Sequence, residues 1–138
     1  KNYMGTTSDI LTGHESHTAI ARGFMGTQMA RTRFPVLNVL DAIWINPTRG
    51  PNTPYSIAVE KRMVIAGRDP VAIDYWAAKN VLMPAAQEAG NRNYRVMDPS
   101  GTEPGTFGYW LRLSAAQMRA AGYKVTMDEA QFKVFVEE

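Results

Sequence analysis

Lys61-Arg62-Met63-Val64-Ile65-Ala66-Gly67-Arg68-Asp69-Pro70-Val71-Ala72-Ile73-Asp74 is the stretch in which the chain changes its hydrophobic period. Residues 61–67 are apolar and β-branched enough to read as a strand that closes on Gly67. Asp69 then stands as a helix N-cap, its short carboxylate placed to accept from the orphan N–H groups of a first turn. Pro70 follows at the first helical position, where its missing N–H is not needed. The spacing predicts a helix from residue 70 to 81 or 82, stopped by Pro84. A strand feeding straight into a helix is half of a crossover unit, and this sets the class as α/β.

Working upstream, Val36-Leu37-Asn38-Val39-Leu40 follows Pro35 as a nearly continuous apolar run. It reads as a strand buried on both faces, closed by Asp41 or extended through Ala42-Ile43-Trp44-Ile45. The segment 46–54 carries Pro47, Pro51, Pro54 and Gly50, so it is a long loop. Residues 16–31 are predicted helical, a reading weakened by Gly23 and Gly26, and residues 1–15 read as loop. Downstream, residues 90–106 form another loop. Phe107 to Ala121 follows as an amphipathic helix, with Phe107, Trp110, Leu111, Ser114, Met118 and Ala121 on one face, and Gly122 ends it. Residues 123–126 and 132–136 alternate and read as a terminal strand pair turning around Asp128 to Ala130. The expected architecture is one α/β domain over residues 1–138: a mixed, partly parallel sheet flanked by helices, its first two strands parallel, with a C-terminal antiparallel strand pair.

The chain has 138 residues, 45% of them hydrophobic and 20% charged, which suits one globular core. It has no cysteine, so it holds no disulfide, no iron–sulfur cluster, no thiolate zinc site and no cysteine nucleophile. Fifteen Lys and Arg against thirteen Asp and Glu leave no basic footprint for nucleic acid. No apolar run is long enough to span a membrane. Neither a phosphate-cradling Gly-rich loop nor a Gly-x-Ser-x-Gly elbow is present. The three tryptophans, Trp44, Trp76 and Trp110, each sit in apolar segments and read as core.

In an open α/β sheet, ligands gather at the carboxyl ends of the strands. With parallel strands, Asp41 and the Gly67-Arg68-Asp69 corner would share that edge with the loop 46–54. Asp69 is a helix cap or a ligand group, and Asp41 a turn residue or a site residue. Asp74 falls in an apolar stripe with Val71, Tyr75, Ala78, Val81 and Leu82, where a lone carboxylate is costly. It therefore reaches a buried donor or faces a site. His14 and His17, the only histidines, are exposed loop residues or two metal ligands completed by a third such as Asp41. Lys1 and Asn2 sit in a glycine-permissive turn.

Three segments carry a family resemblance. Lys1-Asn2-Tyr3-Met4-Gly5, Asn38-Val39-Leu40-Asp41-Ala42 and, most specifically, Gly67-Arg68-Asp69-Pro70-Val71-Ala72-Ile73-Asp74 resemble motifs of domain-of-unknown-function family 362. His17 falls where that family often has a histidine. The resemblance covers residues 1–85 and implies an α/β domain, often found beside ferredoxin-type clusters and sometimes behind a twin-arginine export signal. It implies a redox setting, in which any cluster lies on another chain or on a segment outside this sequence. It also implies that the chain is the C-terminal part of a larger domain. The loop 49–54 matches the family's ligand loop only in part. Two expectations follow. The first is an enzyme-like domain that binds a small anionic ligand or a divalent metal through Lys1, Asn2, Asp41, Asp69 and Asp74, with His14 and His17 as metal ligands. The alternative is a non-catalytic binding or assembly module, completed by an N-terminal half or by a partner chain such as an iron–sulfur protein.

Overall fold

A computed structural model describes residues 19–48 and 55–137. Helix α1 spans Phe24–Arg31, strand β1 Asn38–Ile45 and strand β2 Val59–Gly67. Helix α2 (Pro70–Ala77) runs through a π-helical turn, Ala78–Leu82, into helix α3 (Met83–Glu88), and the long helix α4 spans Phe107–Ala120. Short 3-10 turns occupy Tyr55–Ile57, Tyr94–Met97 and Glu129–Gln131. The fold is mixed α/β.

The strands correct the expected topology. β1 and β2 form a two-stranded antiparallel sheet in which Asn38 faces Gly67, Leu40 faces Ile65 and Ala42 faces Met63. A parallel pair needs a crossover of a dozen or more residues, usually a helix. The connection 46–58 is too rich in proline to supply one, so the chain turns back on itself. Nor is β1 buried on both faces. It starts at Asn38 and runs to Ile45, with a register irregularity between Ala42 and Trp44. Along both strands exposure alternates: Leu40, Ala42 and Ile65 turn inward, while Val39 (59% exposed) and Val64 (61%) turn outward. Among the described residues, helices cover one face only.

The core lies between α2, α4 and the segment after α4. Val71 and Tyr75 of α2 meet Leu111, Ala115 and Met118 of α4 and Val125 beyond it. Phe34 and Tyr123 stack at its margin, 4.1 Å between ring centroids and 7° between planes. On α4, Leu111, Ser114 and Met118 are buried as the periodicity predicts, and Gly108 and Ala115 join them, while Ala121 is exposed. Trp44, expected in the core, is 60% exposed.

Gly23 and Gly26, which weaken the helix in sequence, are the points where α1 crosses α4. A Cβ at Gly26 would sit 2.1 Å from the Ser114 carbonyl oxygen, and one at Gly23 2.8 Å from that of Leu113. Gly23 also has φ +79°, a left-handed conformation open to glycine at no steric cost.

Pro84 does not end the helix. A proline here removes an amide that would bond four residues back, and its ring crowds that carbonyl. The turn before it is wound wide instead, with the Met83 amide donating to the Ala78 carbonyl five residues back. Helix then continues to Glu88.

The expected terminal strand pair is absent among the described residues: 123–137 contain only the 3-10 turn at Glu129–Gln131. The backbone of the first segment is already engaged. The Thr126 amide donates to Asp69 Oδ2 at 2.7 Å, and Arg119 Nε donates to the Val125 carbonyl at 3.0 Å. Asp128 then turns the chain, its carboxylate accepting from the Ala130 amide at 3.1 Å and from Gln131 Nε2 at 2.9 Å.

Candidate functional site

The corner between β2 and α2 is organised by the Asp69 carboxylate. Asp69 Oδ1 accepts from the amides of Val71 (2.8 Å) and Ala72 (3.1 Å), which is the predicted cap. Its Oδ2 accepts from Thr126. One carboxylate therefore starts α2 and ties down the segment that follows α4. The positive end of the helix dipole favours its charge.

Asp74 lies one turn further on, three residues from Val71 and four from Ala78, both buried. Its carboxylate accepts no hydrogen bond among the described residues, although its backbone carbonyl accepts from the Ala78 amide. Burial raises its pKa from 3.8 to about 6, because a carboxylate removed from water disfavours its charged form.

Asp41 does not join them. It is exposed on β1, opposite Val64, and its Oδ1 accepts from the Ile43 amide at 2.9 Å. Asn38 is the β1 residue beside the corner: it faces Gly67, and its Nδ2 donates to the Gly67 carbonyl at 3.2 Å. Three residues of strand, about 10 Å, separate Asp41 from that end. The shared carboxylate edge required parallel strands, and the antiparallel register does not form it. Lys1, Asn2, His14 and His17 lie outside the described residues, as does the loop 49–54. Among the described residues, no three His, Asp or Glu side chains stand close enough together to hold a metal ion.

Two features escape sequence reading. In the first, Glu129 Oε1 accepts from the Tyr75 hydroxyl (3.0 Å) and from Lys79 Nζ (2.6 Å). The Lys79 contact, followed by the Tyr75 hydroxyl, lowers the Glu129 pKa, and burial together with Glu129 raises that of Tyr75. The four-residue spacing of Tyr75 and Lys79 puts them on one helix face, but nothing local points to Glu129. The second is an open cleft of about 590 Å³ between β2 and the C-terminal segment. Arg62 to Arg68 form one wall and Gln131 to Glu137 the other, with Ala72, Ile73 and Trp76 of α2 between them.

The strand–cap–helix corner, with Asp69 as the cap and Asp74 five residues on in the same helix, is the structural form of the motif most specific to the resemblance. The family model described as a domain of unknown function (DUF362) matches residues 1–79, more than half of the chain, and the chain belongs to that family. No curated protein and no solved structure matches it.

Proposed function

We propose that this region is a binding and assembly module whose hairpin is completed by further polypeptide. The observation that carries the reading is the outward face of the β1–β2 sheet. Val39, Ile43 and Val64 are exposed there, and Val36, Leu37 and Trp44 extend the apolar surface beside it. A two-stranded hairpin is marginal by itself in water, and exposed apolar side chains grouped in this way, here around the single carboxylate of Asp41, mark an interaction surface. The partner is a stretch of protein chain that lays apolar side chains over this face. In its absence the face is expected to self-associate. Sedimentation velocity across a concentration series tests this, with Val39→Lys placing a charge on the face. Reversible association lost in the variant supports the reading. A chain that stays monomeric up to millimolar concentration removes it.

Asp74 favours a second reading, in which a small anionic ligand or a divalent metal binds near this corner. A carboxyl held near pKa 6 with no hydrogen-bond donor among the described residues suits a group that meets a ligand. Asp69, Asp41, Lys1, Asn2, His14 and His17 are the other candidates, and a link to redox partners belongs to the same reading. Carboxylates alone suit Mg²⁺ or Ca²⁺; added imidazole favours a transition metal. Thermal unfolding with and without added Mg²⁺, Ca²⁺ and Zn²⁺ tests it. Stabilisation lost in both Asp74→Asn and His17→Ala supports the metal form, and stability indifferent to all three ions counts against it.

A further inference from the structure

We propose that the cleft between β2 and residues 131–137 is a slot for one extended, acidic segment of another polypeptide, which enters as a strand between the two walls. The proposal rests on the assembly reading and names where and how a partner would engage. The first wall is an open sheet edge. Among the described residues β2 pairs only with β1, so its other side presents a row of unpaired N–H and C=O groups, a template for strand addition.

The second wall is just as unsatisfied. The Phe132 amide donates to the Glu129 carbonyl at 3.0 Å, and beyond it no backbone hydrogen bond is made by residues 133–137 among the described residues. Phe132 itself is extended, at φ −75° and ψ 133°. Its neighbours Val134, Phe135 and Val136 are exposed, Phe135 at 88%. An alternating, β-prone stretch is thus held beside a free strand edge with nothing paired to it. Each wall is about 20 Å long at roughly 3.3 Å per residue. The volume of about 590 Å³ lies within the usual range for occupied pockets, about 300–1,000 Å³. Ile73, Trp76 and Phe132 give the slot an apolar floor for alternate side chains.

Charge selects the occupant. Arg68 and Lys133 line the slot, exposed and without an ion pair among the described residues. Arg62 is held by Glu60 at 3.0 Å. Among the described lining residues Arg62, Arg68 and Lys133 stand against Asp69 and Glu137, a surplus of one positive charge, and Asp69 already accepts from three amides. The surplus is cationic, so a segment alternating apolar and acidic residues is complementary.

The test uses the whole chain and a capped heptapeptide of alternating valine and glutamate, read by fluorescence anisotropy. Its Val/Lys counterpart and a backbone N-methylated form are run beside it. Binding is expected for the Val/Glu peptide, at least tenfold weaker after N-methylation. Arg68→Glu should weaken the Val/Glu peptide at least fivefold and strengthen the Val/Lys peptide. Hydrogen exchange should show new protection in both β2 and residues 133–136. The proposal is overturned by no binding at millimolar peptide. Binding indifferent to N-methylation and to Arg68→Glu, which is apolar adsorption, also overturns it. So does protection of both walls before peptide is added, which assigns the slot to the chain's own tail or to a second copy. If Val39-dependent association persists while the peptide fails, the slot alone falls and the assembly reading stands.

Discussion

At the scale of single residues, two aspartates five positions apart on one short helix have opposite situations. Asp69 has three donors and Asp74 has none among the described residues. Removing the Asp69 carboxylate strips the α2 cap and frees the Thr126 amide together. Asp69→Ala should cost about 3 kcal/mol in chemical denaturation, combining a lost cap with a lost charged hydrogen bond. Asp69→Asn should keep the cap and lose protection at the Thr126 amide, seen by hydrogen exchange. For Asp74 the sign runs the other way. Its folded pKa of about 6 lies above the ordinary 3.8, so the folded state favours the protonated form. The unfolded chain loses its proton first, and stability falls as pH rises from about 4 to about 6, then levels off. A gap of roughly two pH units corresponds to about 3 kcal/mol at most. Asp74→Asn should remove that fall and be the more stable protein at neutral pH. Melting curves of both proteins at about pH 4 and about pH 7 check this; equal pH dependence would refute the burial argument. The cap was legible in sequence because Asp69-Pro70 is a local signal. The Thr126 tether was not, because its partner lies 57 positions away.

At the scale of elements, what the sequence hid was mostly long-range. Gly23 and Gly26 read as poor helix formers, which is their cost in isolation. Their value appears only when α4 is brought against them. Gly26→Ala would place a methyl 2.1 Å from the Ser114 carbonyl, a backbone atom that cannot swing aside. A loss of about 3 kcal/mol, the upper part of the overpacking range, is expected in denaturation, against a gain of nearly 1 kcal/mol if helix propensity alone ruled. The sign of the change decides between the two. Pro84 shows the reverse error: a residue that breaks a free helix is absorbed here by a wide π turn. The hairpin's direction also lay in the loop. A proline-rich connection supplies no crossover helix, and this outweighs the half-unit suggested by β2 and α2.

At the scale of the whole molecule, the described residues form one well-packed side and leave one sheet face exposed. Val39 packs against none of the core, so Val39→Lys should leave stability within about 0.5 kcal/mol, as for ordinary surface changes. The same substitution should abolish self-association. A destabilised but still associating variant would mean that the face is not the contact. The candidate site was only partly legible for the same reason. Asp69 and Asp74 belong to one local motif, whereas Asp41 was added by assuming a parallel sheet. The cleft and the Glu129 cluster depend on where the C-terminal segment lies, and alternation alone made that segment look like a hairpin.

Asp69 lies inside the family match at residues 1–79, whereas Thr126 lies beyond it. Val71 and Tyr75 likewise pack on Leu111, Ala115, Met118 and Val125, and the match ends within the π turn at Ala78–Leu82. The unit that recurs as a sequence pattern is therefore not the unit that folds. A gene cut after codon 79 would express the recognisable motif without the side chains that make it a solid. Such a fragment should show rapid proteolysis and no cooperative melting, and adding back the remainder of the chain in trans should restore cooperative melting and resistance to protease.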